Sequence, residues 1–381
     1  MSTANPGNSP SPPTDTASPG RRKRVFSGIQ PTGHAHLGNY LGVFRRWAAM
    51  VDEYECFYCI VDLHAITREY EREDLLRRVF DLTVSLVASG IDPERCTLFA
   101  QSHVPFHSEL QWMFNTVTPV GDLGRMTQFK EKSQGRESVN AGLLNYPVLQ
   151  AADILLYRAD FVPVGEDQRQ HLELSREVAR RWNARFGEFF PEPETLVGTG
   201  SRVRGLDGVA KMSKSKDNTV RMVAEPDELW ARLRTAVTDP ARVRKDDPGN
   251  PYVCNVFALH EFFTDPAERE EIEILCQTAG IGCVACKRQL ADNVAEELAP
   301  VRERAAELRA NPERVIEILA AGAERAAAEA ERTMEVVRER MGVGPRTLDV
   351  DLPHLSGVGA AGGAGSAGDG SAGDSPAGAA G

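Results

Sequence analysis

The sequence predicts an α/β protein in which a doubly wound parallel sheet is followed by an α-helical domain. Short apolar runs of strand length alternate with helix-length segments as far as residue 186. From about residue 225 the pattern changes to long helical stretches, including the Ala-, Glu- and Arg-rich segment 312–341. Strand–helix alternation of this kind predicts a Rossmann-like nucleotide-binding sheet, with ligands at the carboxyl ends of its strands.

Four apolar runs have the length of strands: residues 25–29, 56–62, 97–100 and 161–164. A continuous apolar run such as 56–62 is typical of a parallel strand that is buried on both faces. Helical spacing of apolar residues marks three further segments: residues 36–51, 74–89 and about 167–186. The second of these ends at Gly90, which is followed by an Asp-Pro pair.

The two ends of the chain differ from the rest in composition. Residues 1–20 hold five of the 23 prolines, and residues 356–381 hold ten of the 33 glycines. Such segments lack the side chains that build a core, so we expect both ends to be disordered. The predicted organisation is a Pro-rich basic tail (1–24), a Rossmann-like sheet domain (25–221), a helical domain (222–346) and a Gly/Ala-rich tail (347–381). The last long helix is expected to pack back on the sheet domain.

Composition and charge exclude several classes of protein. No apolar run is long enough to cross a membrane, which takes about 18 residues or more. Seven cysteines without an export signal favour free thiols or a metal site in a reducing cytoplasm. A net charge of −11 argues against a protein that coats nucleic acid non-specifically, but it is compatible with a local basic groove for RNA.

A first motif follows the first predicted strand, where residues 26–39 read FSGIQPTGHAHLGN. Gly33 and Gly38 bracket a turn at a helix start, and a missing Cβ lets a ring or a phosphate approach the backbone. A helix N-terminus offers free N–H groups to that phosphate. His36 and Asn39 add short polar side chains on the same turn. Taken alone, the segment also fits a histidine that merely caps a helix.

A second motif is Lys211-Met-Ser-Lys-Ser215, which follows Gly205 and Gly208. Two lysines and two hydroxyls on a glycine-flanked loop suit a mobile clamp on a polyphosphate, although a single Lys-rich pentamer is often a solvated loop. The two motifs in this order, about 170 residues apart, are far more specific than either alone.

The pair resembles the HIGH and KMSKS signatures of class I aminoacyl-tRNA synthetases. Further blocks resemble the bacterial tryptophanyl-tRNA synthetases, and the match runs from about residue 25 to residue 341. These blocks are FSGIQPTG from residue 26, CIVDLHAIT from 59, MTQFKEK from 126, YPVLQAAD from 146 and VPVGEDQ from 162.

The resemblance implies that the chain activates L-tryptophan with ATP and Mg²⁺ to tryptophanyl-adenylate, then transfers it to the 3′ end of tRNA(Trp). It also implies a cytoplasmic homodimer, a catalytic domain at residues 25–221 and an anticodon-binding role for the helical domain at residues 222–346, which holds the cysteine cluster. The apolar helical run near 145–156 is the one hint of an interface in the sequence. Tyrosyl-tRNA synthetase is the nearest alternative, and the block around Asp153 and the GEDQ run favour tryptophan. A small nucleotidylyltransferase would share only the first motif, and a catalytically silent paralogue would lack motif residues that are present here.

The resemblance also implies roles for individual residues. The catalytic set is His36, Asn39, Lys132, Lys211 and Lys214. The ATP-binding set is Gln30, Pro31, Thr32, Gly38, Asn39, Gly165, Glu166, Asp167, Val203, Lys211, Met212, Ser213, Lys214 and Ser215. The tryptophan-binding set is Asp153, Tyr146, Gln168, Phe26, His64 and Gln150, with Gln30 near the polar end of the amino acid.

Two positions in the tryptophan-binding set carry the specificity. Asp153 lies in an apolar helical run, where a carboxylate is costly unless it is paired. By resemblance it accepts the indole N–H, although an ion pair with an arginine is the plainer interpretation. Gln150 departs from the family pattern, because many bacterial members carry Met there. We therefore expect a more polar pocket wall and altered sensitivity to indole-like inhibitors.

Four of the seven cysteines lie close together in the predicted helical domain: Cys254, Cys276, Cys283 and Cys286. Their spacing, C-x21-C-x6-C-x2-C, predicts a metal site in a cytosolic enzyme. Some tryptophanyl-tRNA synthetases carry a 4Fe–4S cluster here with nearly this spacing, so the resemblance favours that cluster, and structural Zn²⁺ is the alternative. Cys56 and Cys59 also form a C-x-x-C pair, but they point to opposite faces of a predicted strand and are expected to be structural.

Overall fold

A computed structural model describes residues 21–135, 137–165, 168–196 and 203–344, which centre on a five-stranded parallel sheet in the order β3-β2-β1-β4-β5. The strands are β1 (Arg24–Ile29), β2 (Glu55–Ile60), β3 (Thr97–Ala100), β4 (Phe161–Val162) and β5 (Glu194–Thr195). This order places a strand-order reversal beside β1, the usual ligand position of doubly wound sheets. The predicted α/β fold class is confirmed.

The register of the central strands follows from their apolar side chains. Val25 of β1 lies opposite Cys56 of β2, and Ile29 opposite Ile60. Because helices cover both faces of β2, five of its six side chains are buried, including those of Cys56 and Cys59. The two thiols are therefore core side chains on opposite faces of the strand.

Two strands differ from the prediction. β4 is shorter than predicted because Pro163 follows Val162 and has no N–H for the ladder. β5 lies at the sheet edge, is only two residues long and is polar, so it carries no apolar signal. The C-terminal part of the predicted tail 1–24 is structured rather than disordered. Arg24 starts β1, and Asp160 pairs with both Arg21 and Lys23.

Helices connect the strands and cover the sheet. The predicted helix 36–51 consists of α1 (Leu37–Asn39), a π-helical turn (Tyr40–Phe44) and α2 (Arg45–Met50). The other helices as far as β5 are α3 (Asp62–Ala65), α4 (Arg72–Ala88), α5 (Phe106–Asn115), α6 (Val120–Arg125), α7 (Thr127–Ser133), α8 (Ala141–Leu156) and α9 (Arg169–Phe186).

The α-helices after β5 are α10 (Pro226–Leu233), α11 (Asn255–Phe263), α12 (Pro266–Gln277), α13 (Cys283–Glu297), α14 (Ala299–Ala310) and α15 (Pro312–Met341). Along α15, Gly322 packs against the backbone of Leu98 in β3, where a Cβ would stand 1.8 Å from the carbonyl oxygen. Arg325 donates hydrogen bonds to the carbonyl oxygens of Pro93 and Cys96. This part of α15 therefore lies directly on the sheet.

None of the helices in the described ranges is both long and apolar enough to cross a membrane. The predicted tail residues 1–20 and 347–381 lie outside the described residues.

Candidate active site

The loop at the carboxyl end of β1 meets the second sequence motif directly. The Lys214 ammonium donates a hydrogen bond to the carbonyl oxygen of Thr32 over 3.0 Å. Gly33, next to this contact, has a φ of +103°, a conformation that other residues rarely adopt, so glycine suits the turn. The backbone N–H of Thr32 in turn bonds the carbonyl of Gln30 over 2.9 Å. Thr32 and Lys214 are 182 residues apart in sequence, and their contact brings the two motifs together.

A second contact between the motifs lies at the start of α1. The backbone N–H of Gly38 points at the Met212 sulfur over 3.3 Å. A Cβ on Gly38 would stand 3.1 Å from the His36 ring and 3.2 Å from Met212, so only glycine fits between them without displacement. Met212 also bonds through its N–H to the carbonyl of buried Val203 over 3.1 Å.

His36 is a buried, neutral imidazole. Burial lowers its pKa to about 4, and the positive charges of Lys214 and Lys211 add to this effect. Its backbone N–H donates to the Asn39 side-chain oxygen over 3.1 Å, while its own side chain makes no capping hydrogen bond. The ring nitrogen Nδ1 is buried and has no hydrogen-bond partner among the described residues. A buried polar atom without a partner is costly, so this nitrogen is a candidate ligand contact.

Lys214 carries an unusually acidic ammonium group. Partial burial lowers its pKa to about 8, and the charge of Arg78 on α4 lowers it further. The side chain is nevertheless exposed to solvent along part of its length. Burial and a neighbouring positive charge both disfavour the charged form of an amine, and ionisable groups perturbed in this way cluster at functional sites.

Asn218 holds the second motif in shape, and sequence reasoning missed it. Its side-chain oxygen accepts from the N–H of Ser213 over 2.7 Å, and its amide donates to Asp207 over 2.8 Å. Gly205 leaves the room that this amide needs, since a Cβ there would lie 2.0 Å from Asn218 Nδ2. The glycine that flanks the motif is therefore a packing requirement. The side chain of Ser215 is outside what the structure describes.

The buried carboxylate of Asp153 receives three hydrogen bonds. Gln101 Nε2 and His107 Nδ1 lie 2.6 and 2.7 Å from its Oδ1. His64 Nε2 lies 2.8 Å from its Oδ2. Burial alone would raise the pKa of Asp153, but the hydrogen bonds of His107 and His64, together with the charge of either ring when it is protonated, outweigh it and lower the pKa to about 2. Two histidines and one amide therefore pair with the Asp153 carboxylate, in place of the arginine that the sequence left open as its partner.

Aromatic and amide groups surround this carboxylate. Tyr146 lies edge-on to His64, with ring centroids 6.2 Å apart, and its hydroxyl lies 2.8 Å from His171 Nε2. The Tyr146 hydroxyl also donates to Gln128 over 3.1 Å. Phe26 of β1 is buried on the side of the sheet, and its ring stacks on that of Tyr157 with centroids 5.7 Å apart.

Lys132 is held beside Tyr146 and is not a freely solvated lysine. Its ammonium lies 4.8 Å from the centroid of the Tyr146 ring and donates to Gln128 Oε1 over 2.8 Å. A cation over an aromatic face is a stable arrangement. This geometry brings Lys132 to the rim of the group around Asp153.

The other residues predicted for the tryptophan and ATP sites make weaker contacts or lie outside the described chain. Gln150 Nε2 stands 3.5 Å from Gln168 Oε1, the outer limit of a hydrogen bond. Gly165 follows the end of β4, and Glu166 and Asp167 lie outside the described residues. Sequence reasoning missed Gln101, His107, Tyr157, Gln128 and His171 as members of the site.

The four clustered cysteines are free thiols of intermediate burial. Burial and the neighbouring thiols of the other three raise the pKa of Cys286 to about 12. Arg242 Nη1 lies 4.0 and 3.9 Å from the sulfurs of Cys276 and Cys283. In the described part of the chain, no three His, Cys, Asp or Glu side chains are arranged to hold one metal ion.

Comparisons with known proteins agree with this geometry. The family model for tRNA synthetases class I (W and Y) matches residues 18–299. The tryptophan–tRNA ligase of Deinococcus radiodurans is 49% identical over 324 residues, which cover 84% of this chain and 98% of that relative. The ligase of Caldanaerobacter subterraneus is 44% identical over 327 residues, covering 84% and 98%.

A solved structure is similar over the same span. Tryptophanyl-tRNA synthetase from Campylobacter jejuni, complexed with ADP and tryptophan, superposes with a TM-score of 0.79 at 34% identity. The similarity covers 84% of this chain and 100% of that one. The chain belongs to the class I tRNA synthetases for tryptophan and tyrosine, among the bacterial tryptophan–tRNA ligases.

Proposed function

We propose that this enzyme activates L-tryptophan with ATP and then transfers it to the 3′ end of tRNA(Trp). The observation that carries the proposal is the buried Asp153 carboxylate, which is kept ionised by three donors beside the two phosphate-binding motifs. An ionised acceptor at the base of a largely aromatic pocket suits the single N–H of an indole. The named ligases and the Campylobacter jejuni complex support the same reaction.

In the first step the tryptophan carboxylate attacks the α-phosphorus of ATP. A carboxylate–phosphorus bond forms, the bond to the β-phosphate oxygen breaks, and pyrophosphate leaves with the electron pair. The nucleophile is already an anion, so the reaction needs positioning and charge stabilisation more than a general base. Mg²⁺ bound to the nucleotide would neutralise part of the phosphate charge. In the second step a hydroxyl of the terminal ribose takes the acyl group and AMP leaves.

The phosphate contacts are assigned to the joined motifs. The backbone from Gln30 to Thr32 and the turn at Gly38 and Asn39 would approach the nucleotide, with the unpartnered His36 nitrogen beside them. The leaving pyrophosphate would be held by Lys211, Ser213, Lys214 and Ser215, with Lys132 reaching in from the rim. Gly165, Glu166 and Asp167 are assigned to the adenosine, and the backbone of Val203 to the adenine, with Met212 packed against it.

The amino acid pocket is assigned to the group around Asp153. Phe26, His64 and Tyr146 would line the indole, while Gln168 and Gln30 would orient the ammonium and carboxylate. Gln150, in contact range of Gln168, makes one wall more polar than Met would. Gln150→Met is expected to change the inhibition constant of indole-like inhibitors while tryptophan remains the substrate. An unchanged inhibition constant would refute the assignment of Gln150 to this wall.

The cysteine group is assigned to a 4Fe–4S cluster. Its residues suit such a group in type, because all four are free thiols and the Arg242 guanidinium lies beside the sulfurs of two of them. Thiolates suit zinc as well, so structural Zn²⁺ stays the alternative.

We further propose a cytoplasmic homodimer. The apolar helix 145–156, the hint in the sequence, is part of α8 and buries its apolar side chains within its own chain. Among the described residues with large exposed apolar side chains, Trp112 on α5 is the one tryptophan, at 71% exposure, and Val120 on α6 is 70% exposed. Tryptophan is enriched at protein interfaces, so this face is the candidate subunit contact. Trp112→Glu should convert the dimer to a monomer in sedimentation velocity, and an unchanged dimer would reject this face.

The reaction is tested by ATP–pyrophosphate exchange across the twenty amino acids, followed by charging of tRNA(Trp). Exchange with tryptophan alone, and charging of tRNA(Trp), is the expected result. Preference for tyrosine over tryptophan would overturn the assignment.

A further inference from the structure

Asp153 is held by more groups than a simple acceptor of an indole N–H requires. Its Oδ1 takes hydrogen bonds from both Gln101 and His107, whereas its Oδ2 takes one from His64. His107 is fully buried on α5, and its other ring nitrogen, Nε2, lies 2.8 Å from the Tyr157 hydroxyl. Asp153 and Tyr157 are four residues apart at the end of α8. Each contacts one nitrogen of the same imidazole: Asp153 contacts Nδ1 of His107, and Tyr157 contacts Nε2.

The direction of the protons in this chain follows from what each group can donate. Burial raises the pKa of Tyr157 well above its usual range, so the phenol keeps its proton. The buried hydroxyl has one acceptor among the described residues, His107 Nε2, and a buried O–H without an acceptor is costly. The Tyr157 hydroxyl therefore donates to Nε2, which leaves the His107 proton on Nδ1. That nitrogen then donates to the Asp153 carboxylate.

Ring packing keeps the imidazole in this orientation. The His107 ring lies 5.9 Å from Phe99 of β3 and 5.5 Å from Tyr157. Tyr157 is itself stacked on Phe57 of β2, with centroids 4.7 Å apart. The ring cannot turn over without losing both its hydrogen bonds and its contacts, so its tautomer is set by the fold.

We propose that Tyr157 and His107 are positioning residues that hold Asp153 as an oriented anion and thereby set the preference for tryptophan over phenylalanine. With Oδ1 saturated by two donors, the carboxylate cannot rotate, and Oδ2 keeps a lone pair for the indole N–H. Phenylalanine has no N–H to donate, so Asp153 Oδ2 would lack one hydrogen bond when phenylalanine is bound. Sites built around such an acceptor reject analogues that lack the donor by orders of magnitude. This role rests on the tryptophan ligase activity proposed above.

The test compares two variants that each delete one buried phenolic oxygen. Tyr157→Phe removes the donor to His107 but keeps the ring stack. Tyr58→Phe is the matched control, because Tyr58 is equally buried in β2 and its hydroxyl donates to the carbonyl of Trp47 over 2.7 Å, away from Asp153. Pyrophosphate exchange with tryptophan and with phenylalanine, the KM for ATP and the melting temperature are measured for both.

Tyr157→Phe is expected to raise the KM for tryptophan and lower the tryptophan-to-phenylalanine ratio of kcat/KM by about tenfold, the usual effect of losing one hydrogen bond in a buried network. The KM for ATP should not change. Tyr58→Phe should lower only the melting temperature. If both variants keep the wild-type ratio, the network is structural and the proposal is wrong. Absence of tryptophan exchange in the wild type would instead refute the proposed function itself.

A second pair of variants tests the donor directly. In His107→Asn the side-chain amide replaces Nδ1 and still donates to Asp153, whereas His107→Leu provides no donor. We expect the Asn variant to keep most of the preference for tryptophan and the Leu variant to lose it. Equal ratios in two folded variants would overturn the proposal. If His107→Leu does not fold, as judged by circular dichroism, the Tyr157→Phe result decides.

Discussion

The ammonium of Lys214 lies 3.0 Å from the carbonyl oxygen of Thr32, so the lysine-rich loop closes on the turn after β1. This contact joins the two sequence motifs. When ATP enters, the ammonium would exchange a neutral carbonyl for phosphate oxygens, a stronger charge-assisted contact. The loop is therefore already positioned over the site that it serves.

The acidic Lys214 predicts a pH dependence of ATP use. Its pKa of about 8 lies below the usual value, so the free enzyme loses this charge as pH rises through about 8. Phosphate favours the charged form, so kcat/KM for ATP should fall above that pH, and ATP binding there should take up a proton. Lys214→Arg keeps a charge at any of these pH values and should move the fall to higher pH. Identical alkaline profiles for both enzymes would contradict the assignment.

Removing the Asp153 carboxylate should abolish tryptophan-dependent exchange. Asp153→Ala also leaves three buried donors without their acceptor, at a cost of roughly 2–5 kcal/mol in the free energy of unfolding. Urea unfolding measures this loss, and Asp153→Asn, which keeps one acceptor oxygen, should lose less. Exchange near the wild-type rate in Asp153→Ala would show that specificity lies elsewhere.

The same carboxylate predicts how stability changes in acid. Its pKa of about 2 in the folded chain lies below the ordinary value of 3.8, so its ionised form stabilises the fold above about pH 4. That contribution is lost as pH falls from about 4 towards 2. Asp153→Asn should therefore flatten this part of the stability curve, measured by urea unfolding at each pH. If the free energy of unfolding of Asp153→Asn falls with pH as steeply as that of the wild type, the ionisation of Asp153 does not cause this loss of stability.

Gly205 is predicted to be essential for the shape of the lysine-rich loop. Gly205→Ala places a methyl group 2.0 Å from the Asn218 amide, which must move and release Ser213. Overpacking of this kind costs about 1–3 kcal/mol, and the KM for ATP should rise. Gly124→Ala on α6 is the control, because a Cβ there meets nothing within 4 Å. Equal KM values for ATP in the two variants would contradict this account of the loop.

The cysteine assignment predicts a chromophore that depends on the clustered thiols. Protein purified without oxygen should be brown and contain iron and sulfide, and Cys276→Ser should lose both. Cys96→Ser is the control, since that thiol lies in the sheet region and its sulfur donates only to the carbonyl of Asp92 over 3.1 Å among the described contacts. A colourless wild type with one equivalent of zinc would reject the cluster.

Much of the fold could be predicted from sequence because its signals are local. β1, β2, β3 and the helix Pro312–Met341 were each marked by an apolar run or by helical spacing, and the structure confirms them. The short edge strand β5 and the π-helical turn at Tyr40–Phe44 have no such signal. The division at residues 221 and 222 stays a prediction, because buried apolar side chains run continuously from β1 to α15.

The site was only partly predictable for a related reason. Motif residues such as His36 and Lys214 stand out by type and spacing, and Asp153 stands out as a carboxylate in an apolar helix. Its partners Gln101 and His107 come from segments 52 and 46 residues away, and each looks like an ordinary polar residue in its own helix. Only the fold brings them to one carboxylate, so no local pattern could have identified them.

The central claim is that this chain is a ligase for tryptophan. The most direct measurement is ATP–pyrophosphate exchange with each of the twenty amino acids, using the wild-type enzyme and Asp153→Ala side by side. The wild type should exchange with tryptophan and little with phenylalanine or tyrosine, and the variant should show no exchange with tryptophan. Exchange that prefers tyrosine, or that survives unchanged in Asp153→Ala, would contradict this claim.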